Sequence, residues 1–236
     1  MHTFSFSSPF EALKELHPHI MGYGVKVNSR GGVARSIKNV IFDIPFEGVT
    51  NNMKKPYPAW RKFNTKYHEH ETYWYMNGSN TDLISSDDDY VITDFGIWRN
   101  IINQGPIFSN YGWYFRNNLE RLTNLFLQDV YTRRAALNIY NAEYAEDYVA
   151  DHPCTLGVVY YIENNELSIT VTMRSCDLIY GFCYDILWWY KSLELLYKAI
   201  AAKSQIFKQM IKPGYIIMQV TDLHIYEKHW DMPIRK

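Results

Sequence analysis

The amino-acid sequence predicts an α+β domain, and three observations carry that expectation. Strand-like and helix-like runs both occur, but they do not alternate as regular β-α-β units. Two β-branched and aromatic runs, residues 155–162 and 166–173, flank Glu163-Asn164-Asn165 in the pattern of a β-hairpin. No stretch rich in Pro, Gly and Ser divides the 236 residues, so residues 1–236 read as one domain.

Taken in order, residues 10–16 read as a short helix. Ser8 is the candidate N-cap and Pro9 takes the first-turn position where a missing N–H costs nothing. Asn28-Ser29-Arg30-Gly31-Gly32 reads as a loop whose glycines allow unusual backbone angles. Residues 37–44 form an apolar strand. Residues 56–76 place Trp60, Phe63, Tyr67, Glu71 and Trp74 at helical spacing. Ser85-Ser86-Asp87-Asp88-Asp89 is a polar loop, and residues 119–131 form an amphipathic helix with Leu119, Leu122, Leu125, Phe126 and Val130 on one face. Residues 135–140 are strand-like, and residues 184–203 form a helix apolar on most faces. Residues 214–220 are a further strand, followed by Asp222-Leu223-His224-Ile225-Tyr226.

Composition narrows the function classes. With 47% hydrophobic and 21% charged residues the chain can bury a core. A net charge of -1 excludes a large basic surface for polymeric nucleic acid, but not a local arginine cluster. Cys154, Cys176 and Cys183 are too few and wrongly spaced for a disulfide framework or a zinc site, and fit a reducing, cytoplasmic compartment. No run approaches the roughly 20 apolar residues of a membrane helix, and the start carries no secretory pattern.

Chemistry concentrates in a few places. Cys154 opens a strand after Pro153. Arg174-Ser175-Cys176-Asp177 follows, with Gly181 and Asp185 beyond it and Arg133-Arg134 before it. A thiol near arginines and hydroxyls suits an anionic substrate, because cations favour the thiolate and guanidinium forks match phosphate oxygens.

Arg174-Ser175-Cys176-Asp177-Leu178, Gly181 and Tyr184-Asp185-Ile186 resemble, position for position, the R-S-x-D-x-x-x-G-x-x-F-N-I signature of the thymidylate synthase family. Pro153-Cys154 resembles its nucleophile motif. Asp222, His224, Tyr226 and His229 resemble its D-x-H-x-Y-x-x-H segment. Glu71, Trp74, Tyr75 and Gly78 resemble its E-x-x-W-F-x-x-G helix, and Tyr111-Gly112 its Y-G turn. Asn28-Ser29-Arg30 resembles its phosphate loop, and Arg133-Arg134 the arginine pair that reaches across its dimer. One departure selects a branch: Asp185 stands where synthases carry Asn, as in the phage deoxycytidylate hydroxymethylases. The runs Ser109-Asn110-Tyr111-Gly112-Trp113 and Gly96-Ile97-Trp98-Arg99-Asn100-Ile101 also resemble that branch. An Asn amide both donates and accepts, whereas a carboxylate only accepts, which suits the N4 amino group of cytosine.

The resemblance implies a mixed β-sheet packed against helices, with sheets back to back in a homodimer that shares its active sites. It implies dCMP as substrate and 5,10-methylenetetrahydrofolate as one-carbon donor. In that scheme Cys154 is the nucleophile, Glu71 positions water and relays protons, and Tyr111 assists removal of the C5 proton. Asp177 and Trp98 bind the folate. Arg30, Arg174 and Ser175, with Arg133 and Arg134 of a second subunit, hold the phosphate. Asp185 reads the base, and His224 and Tyr226 contact the sugar. A methyltransferase acting on dCMP or CMP, and a catalytically silent nucleotide-binding homologue, stay open as alternatives. The family usually carries a longer tail than the six residues after Trp230. A bacterial cytoplasm hosting a phage is the setting the resemblance implies.

Overall fold

The computed structural model describes residues 1–52, 63–78, 92, 95, 98, 101, 107–141 and 151–232. The start of the expected 56–76 helix, with Trp60, the 85–89 loop and most of the run 96–101 lie outside the described residues.

Among the described residues an eight-stranded mixed sheet forms the centre. Strand β1 (His2–Ser5) is followed by helix α1 (Pro9–Tyr23), strands β2 (Val25–Ser29) and β3 (Gly32–Pro45), and helices α2 (Phe46–Asn52), α3 (Thr65–Asn77) and α4 (Tyr111–Gln128). Strands β4 (Ala136–Asn138), β5 (Thr155–Glu163), β6 (Glu166–Met173) and β7 (Cys176–Asp177) come next. Helices α5 (Phe182–Lys203) and α6 (Gln205–Met210), strand β8 (Lys212–Tyr226) and a 3-10 turn (Glu227–His229) complete the described order. Laterally the sheet runs β1-β3-β8-β6-β5-β4, with β2 beside β3 and β7 beside β8. β1 and β3, β6 and β8, and β7 and β8 are parallel pairs, and the remaining pairs are antiparallel.

Register explains the core. Phe42, Met218, Val171 and Val158 stand side by side across four strands, as do Ile44, Ile216, Ile169 and Tyr160. Their side chains share one face and are buried. Helix α5 lays Trp189, Leu193, Leu196 and Ile200 into the same core. The Tyr160 hydroxyl donates to Ser192 Oγ on α5 at 3.0 Å, so a deep phenol keeps a partner. Residues 41, 43, 170, 172, 217 and 219 face the other way and are only half-buried.

Local chemistry sets the turns. The expected β5–β6 hairpin is present, and its turn is two residues rather than three: Glu163 pairs with Glu166, and Asn164 and Asn165 take φ of 51° and 63°, a turn of the primed type. The 28–32 segment differs from its loop reading: Ser29 pairs with Gly32, so only Arg30 and Gly31 turn, and Gly32 at φ 115° closes a hairpin. Helix α1 does start at the Ser8 cap, whose side chain accepts from the Glu11 amide, but it continues through Pro18 to Tyr23. Its apolar face, with Leu13, Leu16 and Ile20 fully buried, extends it beyond its local signals. Helix α4 starts eight residues before its expected boundary, because Asn110 caps it at Trp113 N, 2.9 Å away.

Candidate active site

Several strands and helices converge at one end of the sheet. Cys154 immediately precedes β5, and Arg174 immediately follows β6, its hairpin partner. The Arg174 amide donates to the Cys154 carbonyl at 2.9 Å. Its guanidinium donates to Pro153 O at 3.0 Å and to His152 O at 2.7 Å, and lies 4.0 Å from Cys154 Sγ. Arg174 therefore both staples the segment before the thiol and sets a positive charge beside it. Burial still dominates: it pushes the Cys154 thiol up to about 11, Arg174 opposes this, and the carboxyls of Asp185, Asp151 and Asp177 reinforce it. The simple expectation that arginines here favour a resting thiolate is outweighed by desolvation.

Asp177 sits on β7, opposite His224 on β8. Its Oδ1 accepts from the amides of Ile179 at 2.8 Å and Tyr180 at 3.3 Å, a turn that leads into α5. Asp185 lies in the first turn of α5. Burial, then the carboxyls of Glu71 and Asp177, push Asp185 well above the usual carboxylate range. Glu71, on α3, is 6% exposed, and burial pushes it up to about 7 despite a hydrogen bond from the Tyr67 hydroxyl at 2.6 Å. Two carboxyls, on α3 and α5, are thus close enough for Glu71 to raise Asp185, and both hold protons above the range of free carboxylic acids.

Tyr111 opens α4. Its ring stacks on Trp189 at 5.4 Å, and its hydroxyl accepts from the Thr155 amide at 3.4 Å, beside the thiol. Burial, Cys154 and Asp185 raise it well above the ordinary phenol range, so it is a neutral hydroxyl. Asp151 fixes the entry to α4, because its carboxylate accepts from Phe108 N, Ser109 N and Ser109 Oγ, each at 2.7 Å.

Arg30 stands at the exposed tip of the β2–β3 hairpin, and Gly31 packs directly on the Tyr226 hydroxyl. Burial first, then Asp177 and Cys154, raise the Tyr226 phenol, while Arg30 lowers it. These opposing influences bring Arg30 and Tyr226 into the same cluster as the thiol. His224 meets Tyr226 edge-on at 5.0 Å, and its Nδ1 lies 3.4 Å from Asp222. Burial pushes Asp222 up, but hydrogen bonds from His224, Lys38 and Ser36 outweigh it and hold that carboxyl well below the usual range. Ser175 is half-buried between Arg174 and Cys176.

Two groups of expected residues are placed differently. Arg133 and Arg134 are exposed between α4 and β4, and the Ala135 carbonyl accepts from the Tyr160 amide. They therefore lie beside the far end of β5, roughly 20 Å from Cys154 at about 3.3 Å per strand residue. One chain does not bring them to the thiol. Trp98 is 7% exposed, and its indole N–H donates to Tyr67 Oη at 3.0 Å, so it backs Glu71 through Tyr67. Sequence reasoning did not single out Tyr67 or Asp151 as site residues. Tyr67 had a signal, since it precedes Glu71 by one helical turn. Asp151 had none, because its partners are more than forty residues upstream. Cys176 and Cys183 are buried within this cluster. Among the described residues no group of three or more His, Cys, Asp or Glu is placed to hold a metal ion.

The fold and this gathering define a class: α+β proteins that collect a thiol, buried carboxyls and arginines at one end of a mixed sheet. The chain belongs to the thymidylate synthase family, whose family model matches residues 11–235. It is 30% identical over 145 residues to the deoxycytidylate 5-hydroxymethyltransferase of Enterobacteria phage T4, covering 57% of this chain and 58% of that protein. The enzyme of the same name from Enterobacteria phage T6 matches equally, at 30% over 145 residues with the same coverage. It is 28% identical over 144 residues to the thymidylate synthase of Mycoplasma genitalium, covering 59% of this chain and 46% of that protein. The matched regions thus span about half the length of these curated relatives. No helix among the described residues is long and apolar enough to cross a membrane.

Proposed function

We propose that this chain is a deoxycytidylate 5-hydroxymethyltransferase, which converts dCMP, 5,10-methylenetetrahydrofolate and water into 5-hydroxymethyl-dCMP and tetrahydrofolate. The observation that carries this reading is Asp185: a carboxyl in the first turn of α5, grouped electrostatically with Glu71 and Cys154, at the signature position where synthases have an amide. Its raised proton affinity suits cytosine. A proton shared between Asp185 and N3, with N4 donating to the other oxygen, binds the base and draws electrons from its ring.

C5 of a pyrimidine is a poor nucleophile. Cys154 Sγ adds to C6, forming a C6–S bond and making C5 enamine-like. Because the resting thiol is held up to about 11, the proton leaves Sγ for solvent as the C6–S bond forms, while Asp185 gives its own proton to N3, which receives the electron pair displaced from the ring. When bound, methylenetetrahydrofolate supplies the one-carbon unit that becomes attached to C5. Asp177 fits the pterin, since an acceptor-only carboxyl suits its N–H-rich edge, and Trp98 walls the site through Tyr67. Tyr111 assists loss of the C5 proton, whose bonding electrons would expel tetrahydrofolate from the one-carbon unit and leave its carbon open to water. Glu71 positions water, takes its proton as its oxygen adds to the exocyclic carbon, and no hydride moves. Departure of the Cys154 sulfur restores the ring.

Arg30, Arg174 and Ser175 hold the 5′-phosphate, joined by Arg133 and Arg134 of a second subunit, and His224 and Tyr226 contact the 3′-hydroxyl of the deoxyribose. The half-buried outer face of the sheet is the surface on which the two subunits pack back to back. The test is product identification: purified protein is incubated with dCMP or dUMP and methylenetetrahydrofolate, and the nucleotide is weighed. Expected is a hydroxymethyl group on dCMP with tetrahydrofolate formed. A plain methyl group with dihydrofolate would replace this reading with a methyltransferase, turnover of dUMP alone would overturn the base assignment, and no turnover would favour a silent homologue.

A further inference from the structure

The strongest feature that the scheme leaves unused is a one-way hydrogen-bond chain behind Glu71. Trp98 Nε1 donates to Tyr67 Oη at 3.0 Å, and Tyr67 Oη lies 2.6 Å from Glu71 Oε1. An indole N–H can only donate, so Tyr67 oxygen must accept it. The one acceptor that the described hydrogen bonds offer the Tyr67 phenolic proton is Glu71 Oε1, and the proton goes there. Glu71 accepts at that oxygen in either protonation state, and any proton it carries sits on Oε2. Packing enforces this direction. Trp98 is 7% exposed and wedged against Trp74 at 4.9 Å, and the Tyr67 ring is held edge-on by Phe95 at 5.0 Å and Tyr184 at 4.7 Å.

We infer that Tyr67 is a positioning residue for Glu71, oriented by Trp98, which confines proton exchange by Glu71 to the single oxygen Oε2. The inference rests on the proposed role of Glu71 and adds a residue to it. A phenol that donates to a carboxyl stabilises the charged form, so Tyr67 opposes the burial that raises Glu71 to about 7. The other titratable groups acting with Glu71 are Tyr75 on its own helix and Asp185 on α5, and neither donates to Oε1 among the described hydrogen bonds.

The experiment compares wild type, Tyr67→Phe, Trp98→Phe and Glu71→Gln by the pH profile of kcat with dCMP. In parallel, infrared titration follows the protonated carboxyl stretch of Glu71, assigned by its loss in Glu71→Gln. For Tyr67→Phe the midpoint of Glu71 should rise by about one pH unit. With Glu71 acting in its charged form, kcat should fall about fivefold near pH 7, recover near pH 9, and leave KM for dCMP nearly unchanged. Trp98→Phe should move the midpoint the same way by less, and this variant carries the test if Tyr67→Phe does not fold. Midpoints unchanged in both variants, or a loss of kcat that pH does not restore, would overturn the inference while leaving the Glu71 assignment standing. Full activity of Glu71→Gln would instead overturn the proposed role of Glu71, and the infrared midpoints would still report the hydrogen bond.

Discussion

At the residue scale the site is a balance between desolvation and a few charges. Cys154 lies 4.0 Å from a guanidinium and is nevertheless held up to about 11, because burial and three carboxyls outweigh one arginine. A thiol raised in this way is protonated near neutral pH, which lowers its reactivity toward oxidants. In the proposed reaction Asp185 carries the base preference on the same logic. In Asp185→Asn the amide offers a donor to O4 and an acceptor to N3–H, so kcat/KM should move from dCMP toward dUMP, with the ratio changing about a hundredfold or more. Steady-state kinetics on both nucleotides check this, and an unchanged ratio would place selectivity elsewhere. The gathered residues Cys154, Arg174, Asp177, Asp185, Glu71 and Tyr111 were legible because each belongs to a short run that resembles a motif of the family. Their proton affinities were not, because burial depends on which helices close over them.

At the element scale, the close crossing of α3 and α4 decides whether Glu71 and Tyr111 share a site. Gly112 makes that approach possible, since any Cβ there would collide with the Tyr75 carbonyl oxygen. Asn110 ties the same crossing by capping α4 and donating to Trp74 O at 3.1 Å. Gly112→Ala should destabilise the fold by about 2–3 kcal/mol, read by urea denaturation, and reduce kcat by separating the two helices. A variant of wild-type stability would mean the helices can part without cost. The sequence reading found the β5–β6 hairpin and the long α5, whose patterns are local. It passed over β1, β2, α2 and α6, which are short. β1 gains its hydrogen bonds only by lying parallel to β3, about forty residues away. The Arg30 turn was read as a loop because glycines mark turns without saying that flanking residues pair.

At the scale of the whole molecule, one chain leaves the proposed phosphate site without its second arginine pair and the outer face of the sheet half-buried. Arg133 and Arg134 lie roughly 20 Å from the thiol along β5, while Ile41, Thr172 and Gln219 are only half-buried on the outer face. A symmetric dimer through that face would solve both, covering the sheet and delivering each arginine pair to the partner's thiol. The net charge of -1 is consistent with this economy, since a few arginines suffice for one nucleotide. The central claim, that Cys154 attacks dCMP within a site completed by a second subunit, is tested most directly by release of labelled hydrogen from C5 of dCMP. Wild type should release the label in the presence of methylenetetrahydrofolate, whereas Cys154→Ala and the double variant Arg133→Ala/Arg134→Ala should each be silent alone. When the two are unfolded and refolded together, about a quarter of wild-type release should return, because half of the randomly paired dimers regain one intact site. Release by Cys154→Ala at the wild-type rate would contradict the account.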